Sequence, residues 1–222
     1  MKNLLLKSVV LGVLAACAMG VGAAKADVTV TVDPAAINLG YMNVFNLPGD
    51  GGAFQFGSPW GLGDLTAVYA GSNLTLGPNS INDPNPYWYI GGGAPGSPGN
   101  KIMEANTYAE PAGSLPGVTV TFTGNVLSNT LASSHTVVAF VKDYAPDFSS
   151  FNVSSVVLPA SGSFSISLAT VNDPARHVQW GFQMTGPCVW ITDVAPFGSV
   201  TIGPVQATPV QSTTWGGVKA LF

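Results

Sequence analysis

Residues 176–186 constrain the fold more than any other stretch of the chain. Apolar side chains stand at Val178, Trp180, Phe182 and Met184, and mostly polar residues alternate with them. Because successive side chains of a β-strand point to opposite faces of a sheet, this alternation predicts a strand. One face of that strand is expected to lie in a core, and the other to carry neutral hydrogen-bonding groups.

Shorter runs elsewhere supply partners for this strand. We predict strands over residues 28–32, 39–45, 65–70, 74–76, 101–110, 118–123, 136–144, 155–158, 163–168, 178–184, 189–192 and 199–205. Loops are expected over 48–59 and 79–100, where Gly and Pro are dense. No stretch keeps the spacing of an amphipathic helix for three turns. Many short strands between turns predict an all-β sandwich of two antiparallel sheets.

The first 26 residues have the pattern of a secretory signal peptide. Lys2 and Lys7 precede an apolar run over residues 9–24, and Ala24 and Ala26 stand at positions −3 and −1 before Asp27. We therefore expect secretion into the extracellular space, a single domain over residues 27–205 and a flexible C-terminal tail over residues 206–222.

An alternative processing site lies inside the same segment. Residues 14–17, Leu-Ala-Ala-Cys, resemble the lipobox of bacterial lipoproteins, in which the cysteine becomes lipidated. In that case the protein would be anchored to a membrane at Cys17. Either way Cys188 is the only cysteine left in the domain, so no intrachain disulfide is expected. We predict that Cys188 is a small buried or half-buried side chain beside Trp190.

The charge balance excludes some partners. Removing residues 1–26 removes three of the seven Lys and Arg and none of the eleven Asp and Glu, which leaves a net charge of −7. Such a chain has no electrostatic footprint for nucleic acid. Only 8% of the residues are charged, so Asn, Ser, Thr, Gln and Gly must form much of the surface. That surface suits neutral partners such as a glycan or polysaccharide.

Two groups of side chains are candidates for glycan binding. Aromatic rings in loops are suited to stack on sugar faces, and a polar strand face is suited to bind sugar hydroxyls. The candidate ligand-binding residues are Trp60, Tyr87, Trp88, Tyr89, Glu104, Asn106, Tyr108, Lys142, Gln179 and Gln183. The competing interpretation is structural: loop aromatics often cap a core, and strand amides often meet solvent. Trp180, in the middle of the alternating strand, is predicted to be a core residue.

The order of segments in the second half resembles a known family. Residues 115–124 form a small loop, a glycine and an alternating strand, and residues 137–141, 163–168, 178–182 and 199–202 follow. Over residues 101–205 this order resembles bacterial carbohydrate-binding modules with a galactose-binding-like jelly roll. The resemblance implies a jelly-roll-type β-sandwich and non-catalytic glycan binding.

The same resemblance bears on cofactors. Many such modules hold a structural calcium with an Asp just before the last strand. Gly198 and Ser199 stand there in this chain, and Asp193 comes several residues too early. This departure disfavours calcium, and we predict no cofactor.

Catalytic patterns are weak. His135 and His177 are the only histidines and are 42 residues apart, without the spacing of a zinc site. No Gly-x-Ser-x-Gly nucleophile motif is present, and the Gly-x-Gly-x-x-Gly match over residues 91–96 is followed by no helical pattern. We therefore predict a protein that is not an enzyme. The alternative from another class is a structural or adhesive surface protein that self-associates through the same sandwich.

Overall fold

The computed structural model describes residues 25–113 and 115–205. Residues 1–24 of the predicted signal peptide over 1–26, the alternative lipid site at Cys17 and the predicted tail over 206–222 lie outside these residues. The predicted domain over 27–205 falls within them apart from residue 114.

Short strands account for nearly all the regular structure of the described residues. They are β1 (Val28–Thr31), β2 (Leu39–Asn46), β3 (Phe54–Pro59), β4 (Ala67–Ala70), β5 (Asn73–Leu76), β6 (Lys101–Ala109), β7 (Thr119–Asn129), β8 (Thr136–Tyr144), β9 (Phe151–Val157), β10 (Gly162–Ala169), β11 (His177–Pro187) and β12 (Val200–Gly203). The helical part of the described chain is two single 3-10 turns, Pro48–Asp50 and Ala195–Phe197. No helix among the described residues is long and apolar enough to span a membrane.

These strands form two six-stranded sheets. Sheet I contains β1, β4, β5, β7, β10 and β12, and sheet II has the order β3-β2-β6-β11-β8-β9. All pairs in sheet II are antiparallel, whereas β1 runs parallel to β7 in sheet I. The sheets enclose one apolar core. This arrangement confirms the all-β sandwich, while its jelly-roll connectivity stays a prediction.

The core lies between the inner faces of the two sheets. Phe182 from β11 is fully buried, with its ring centroid 5.3 Å from that of Phe122 on β7 and 6.0 Å from that of Phe164 on β10. The aromatic cluster therefore joins sheet II to sheet I. Val178, Trp180 and Met184 are also buried, which confirms the face predicted from the alternation.

One predicted loop contains a strand. Residues 54–59 form β3 at the edge of sheet II, although the density of Gly and Pro over 48–59 predicted a loop. Gly57 is needed there because a Cβ would lie within 3 Å of the side chains of Tyr41 and Asn43. Pro59 ends an edge strand, where a missing backbone N–H is tolerated.

The predicted strand over residues 189–192 does not form. Val189 and Trp190 lie outside any strand, and a turn follows them. The segment is instead held by contacts with a distant loop, because the Val189 amide donates to the Asn79 carbonyl at 3.0 Å. Cys188 is a free and buried thiol, as predicted.

A buried ion pair fixes one end of sheet II. Asp143 near the end of β8 is fully buried, and Arg176 Nε donates to its Oδ1 at 2.7 Å. The Val171 amide donates to Oδ2 at 2.8 Å, and Arg176 Nη2 donates to the Asp143 carbonyl at 2.7 Å. The chain entering β11 is therefore tied to the end of β8.

Candidate functional site

A groove of about 530 Å³ crosses the outer face of sheet II. Eight strand residues and two residues outside the strands, Glu110 and Phe148, line it; the strand residues are Tyr41, Asn43, Pro59, Asn106, Tyr108, Lys142, Tyr144 and Gln179. The outer-facing positions follow from the same period-two alternation that buries the other face in the core. The groove therefore lies on the outer face of sheet II, opposite the face that packs into the core.

Strand register brings distant residues together across this face. Asn106 on β6 pairs with Tyr41 on β2 and with Gln183 on β11. Gln179 on β11 pairs with Lys142 on β8. Residues directly opposite each other in antiparallel strands have Cβ atoms about 5 Å apart. The register thus turns four separate stretches of sequence into one polar surface.

Lys142 is the centre of a hydrogen-bonded cluster. Its Nζ donates to Asn106 Oδ1 at 3.3 Å and to Gln183 Oε1 at 3.2 Å, and lies 4.2 Å from the Phe140 ring centroid. Burial lowers the pKa of Lys142, and nearby Glu104 opposes that shift. Lys142 is thus a buried cation held by neutral amides and an aromatic ring.

A second cluster closes one end of the groove. Gln179 Nε2 donates to Glu110 Oε2 at 2.6 Å, and His177 Nδ1 lies 2.8 Å from Glu110 Oε1. The His177 ring stacks on Phe148, with centroids 4.3 Å apart and planes at 24°. Phe148 has a positive φ of 57° and lies in the turn between β8 and β9. The turn thus places an exposed ring beside the strand face.

Three tyrosines give the groove its aromatic walls. Tyr41, Tyr108 and Tyr144 lie on β2, β6 and β8. Burial raises the pKa of Tyr144 to about 12, and the acids Glu104 and Glu110 add to the shift. Burial, followed by Glu110, also raises the pKa of Tyr108. Both phenols therefore stay protonated at neutral pH and can donate a hydrogen bond to a ligand.

The polar part of the predicted site is assembled in this groove. Asn106, Tyr108, Lys142 and Gln179 line it. Gln183 adjoins it through its hydrogen bond to Lys142. Glu104 lies beside it as well, and accepts a hydrogen bond from Asn43 Nδ2 at 2.9 Å.

The predicted loop aromatics lie elsewhere. Trp60 is half-buried, donates to Ser58 Oγ at 2.9 Å and lines a separate depression of about 410 Å³ with Asp64 and Asp83. Trp88 is half-buried against the core and packs edge-on to Phe56, with centroids 6.2 Å apart. The aromatic rings of the groove therefore come from strands and from the turn between β8 and β9, not from the predicted loop rings Trp60, Tyr87, Trp88 and Tyr89.

Two neighbours of Trp88 have structural contacts. Tyr89 is fully buried, and its hydroxyl donates to the Ile81 carbonyl. A ring in that position has no face open to a ligand, so the expectation that Tyr89 stacks on a sugar is wrong. The Tyr87 ring is half-buried and lies 4.5 Å from Lys101 Nζ.

Sequence reasoning missed several lining residues, namely Tyr41, Asn43, Glu110, Tyr144 and Phe148. Tyr144 and Tyr41 fall on the outer face by the same period-two alternation that places Lys142 and Asn106 there. A count of outer-face aromatics along the predicted strands would have found both. The position of Phe148 depends on a turn, and no pattern in the sequence indicates its direction.

Among the described residues, no group of three or more His, Cys, Asp or Glu side chains is close enough to hold a metal ion. Asp143 faces the core and its two carboxylate oxygens accept from Arg176 and Val171. Glu110 and Glu104 face the groove side and are hydrogen-bonded to amide side chains.

Comparison with known proteins gives one match. No protein-family model matches the chain, and no curated protein matches it. Among solved structures, the chain is similar to the CBM22-2 xylan-binding domain of Xyn10C from Paenibacillus barcinonensis. The two are 11% identical with a TM-score of 0.28, and the match covers 64% of this chain and 89% of that chain. At this degree of likeness, the function has to be inferred from the groove itself.

Proposed function

We propose that the groove on sheet II binds a neutral carbohydrate and that the protein is a secreted, non-catalytic binding module. The observation that carries the proposal is the combination of three tyrosine rings with amide side chains and a buried lysine in one open groove. Small-molecule sites typically combine apolar or aromatic walls with a few placed polar groups.

The chemistry of these groups matches a sugar chain. Tyr41, Tyr108 and Tyr144 offer apolar ring surface together with hydroxyls. Asn106 and Gln179 carry amides, which both donate and accept, as sugar hydroxyls do. Asn106 Oδ1 and Gln179 Nε2 already bond Lys142 and Glu110, so a sugar would meet the three tyrosines directly and share the remaining hydrogen-bonding positions of the amides.

The charges in the groove favour a neutral ligand over an ionic one. Lys142 is engaged by the carbonyl oxygens of Asn106 and Gln183. Glu110 is engaged by Gln179 and His177. Both signs of charge are present, and each has a partner within the protein. An anionic or cationic ligand would have to displace one of these contacts.

The proposal is tested by calorimetry with a panel of neutral oligosaccharides, xylan-derived ones included. Tyr108→Ala removes a wall of the groove, and we expect at least a tenfold loss of affinity, which corresponds to about 1.4 kcal/mol. Tyr108→Phe keeps the ring and is expected to retain most of the binding. Tyr87→Ala removes an aromatic ring away from the groove and serves as the matched control.

Salt dependence adds a second criterion. Stacking and hydroxyl–amide contacts are little screened, so affinity should persist in high salt. Equal affinities of the Tyr108→Ala and Tyr87→Ala variants would refute the groove as the binding site. Absence of binding to every neutral sugar in the panel would refute the function.

A further inference from the structure

Strand β9 leaves one backbone edge open. It is the last strand of sheet II, and β8 is its only partner strand among the described residues. The other edge therefore presents a row of N–H and C=O groups without ladder partners. Such an edge is a template for pairing with a further strand.

Four side chains of this seven-residue edge strand are apolar and exposed. Phe151, Val153, Val156 and Val157 are exposed by 50, 47, 37 and 62%. Native proteins usually protect an edge with a lysine, a proline or a bulge. β9 is seven residues long and contains none of these residues. The opposite edge strand of sheet II, β3, does end in a proline, Pro59.

The absence of charge extends beyond β9. From Phe148 to Asn172 the sequence has no Asp, Glu, Lys, Arg or His. This stretch includes β10, which pairs with β7 alone among the described strands and carries exposed serines on its outer positions. Two neighbouring edge strands, one in each sheet, thus form a neutral side on a domain whose net charge is negative.

We propose that this side is a self-association surface, with β9 of one copy pairing antiparallel with β9 of a second copy. A second copy fits because the edge is complementary to itself. With Ser154 at the two-fold axis, all seven residues of the strand pair. Phe151 then lies opposite Val157 of the other copy, and Asn152 lies opposite Val156 of the other copy. No charged residues face each other along this pairing, so it lacks the like-charge contacts that destabilise cross-strand pairs.

The expected association is weak. A single pair of edge strands is small beside the roughly 1,200 Å² that standard-sized specific interfaces bury at minimum. The rest of the surface is negative, so added salt should strengthen association by screening the repulsion between copies. Molar mass should therefore be measured by sedimentation equilibrium up to a protein concentration of about 1 mM, in low and in high salt.

Two lysine variants locate the surface. Val157→Lys places a charge on the β9 edge opposite an apolar ring, and we expect it to be monomeric at every concentration. Val68→Lys places the same charge at an equally exposed valine on β4, the last strand of sheet I. This control should associate as the wild type does. A wild type that is monomeric throughout, or equal behaviour of the two variants, would overturn the proposal.

A cysteine variant tests the register. Ser154→Cys places two thiols across the two-fold axis, and we expect a disulfide-linked dimer on a non-reducing gel. Cys188 is buried and does not compete. Val68→Cys is the matched control and should remain uncrosslinked. Equal cross-linking of the two variants, or none with Ser154→Cys, would overturn the pairing centred on Ser154.

Discussion

Trp180 offers a quantitative test of the core. Its side chain is 7% exposed, and its indole Nε1 has no hydrogen-bond acceptor among the described residues. Trp180→Ala removes a large ring from between the sheets, and truncations of this kind cost about 3–5 kcal/mol of unfolding free energy. For a domain of this size each kcal/mol lowers Tm by about 2–4 °C. We therefore expect Tm to fall by about 10 °C.

Trp180→Phe separates ring volume from the unpaired donor. The smaller ring loses some packing, but the substitution also removes a buried N–H, whose lack of a partner costs about 1–3 kcal/mol. These effects oppose each other, so we expect a stability within about 1 kcal/mol of the wild type. Together, the two variants separate the stability that the packed indole ring contributes from the stability that its unpaired N–H removes.

Urea denaturation followed by far-ultraviolet circular dichroism is the assay, since it does not depend on the fluorescence of the residue being replaced. Phe54→Ala is the control. Phe54 is 58% exposed and packs edge-on to Phe45, with centroids 5.5 Å apart, so its loss should cost at most about 1 kcal/mol. A Trp180→Ala midpoint equal to that of Phe54→Ala would refute the assignment of the core face.

Other variants probe the site and its surroundings. In Gly181→Ala the new Cβ would overlap the backbone of β6 beneath the groove, and we expect a loss of about 1–3 kcal/mol in urea denaturation. Arg176→Met leaves the buried Asp143 carboxylate without its cation and should cost about 3–5 kcal/mol in the same assay. Trp88→Ala should lower the denaturation midpoint, because the ring packs on the core, yet leave calorimetric sugar affinity unchanged. Burial raises the pKa of Tyr69 from 10.0 to about 12. The folded state therefore holds the phenolic proton more tightly than the unfolded chain, and the resulting stability is present below pH 10 and lost as the pH rises toward 12. Urea midpoints across that range should fall, and Tyr69→Phe should flatten the fall.

The sequence predicted the faces of the strands well, because period two is a local property. Val178 and Phe182 are buried as their positions required, and Asn106 and Gln179 reach the same outer surface. That these two residues share one groove follows from strand order. Pairing between strands that are distant in sequence is set by contacts that no single stretch contains.

Loop side chains were predicted poorly for the same reason. Tyr89 lies in a stretch rich in Gly and Pro, which is typical of an exposed loop. Its hydroxyl nevertheless contacts the carbonyls of Ile81 and Val189, and one of these partners is 100 residues away. Long-range contacts of this kind decide whether a loop ring faces a ligand or the core. β3 was missed because Gly57 was interpreted by its turn propensity, whereas the close side chain of Tyr41 is what requires a glycine there.

Chemical labelling of Cys188 can measure how often the structure around it opens. It is the only cysteine after residue 17, its Sγ lies 3.2 Å from the Tyr89 hydroxyl, and burial raises the pKa of the thiol. A thiol reagent can reach it only when the packing around Tyr89 opens. The labelling rate in native buffer, compared with the rate in urea, would thus show whether the segment around Tyr89 opens separately or only when the whole domain unfolds.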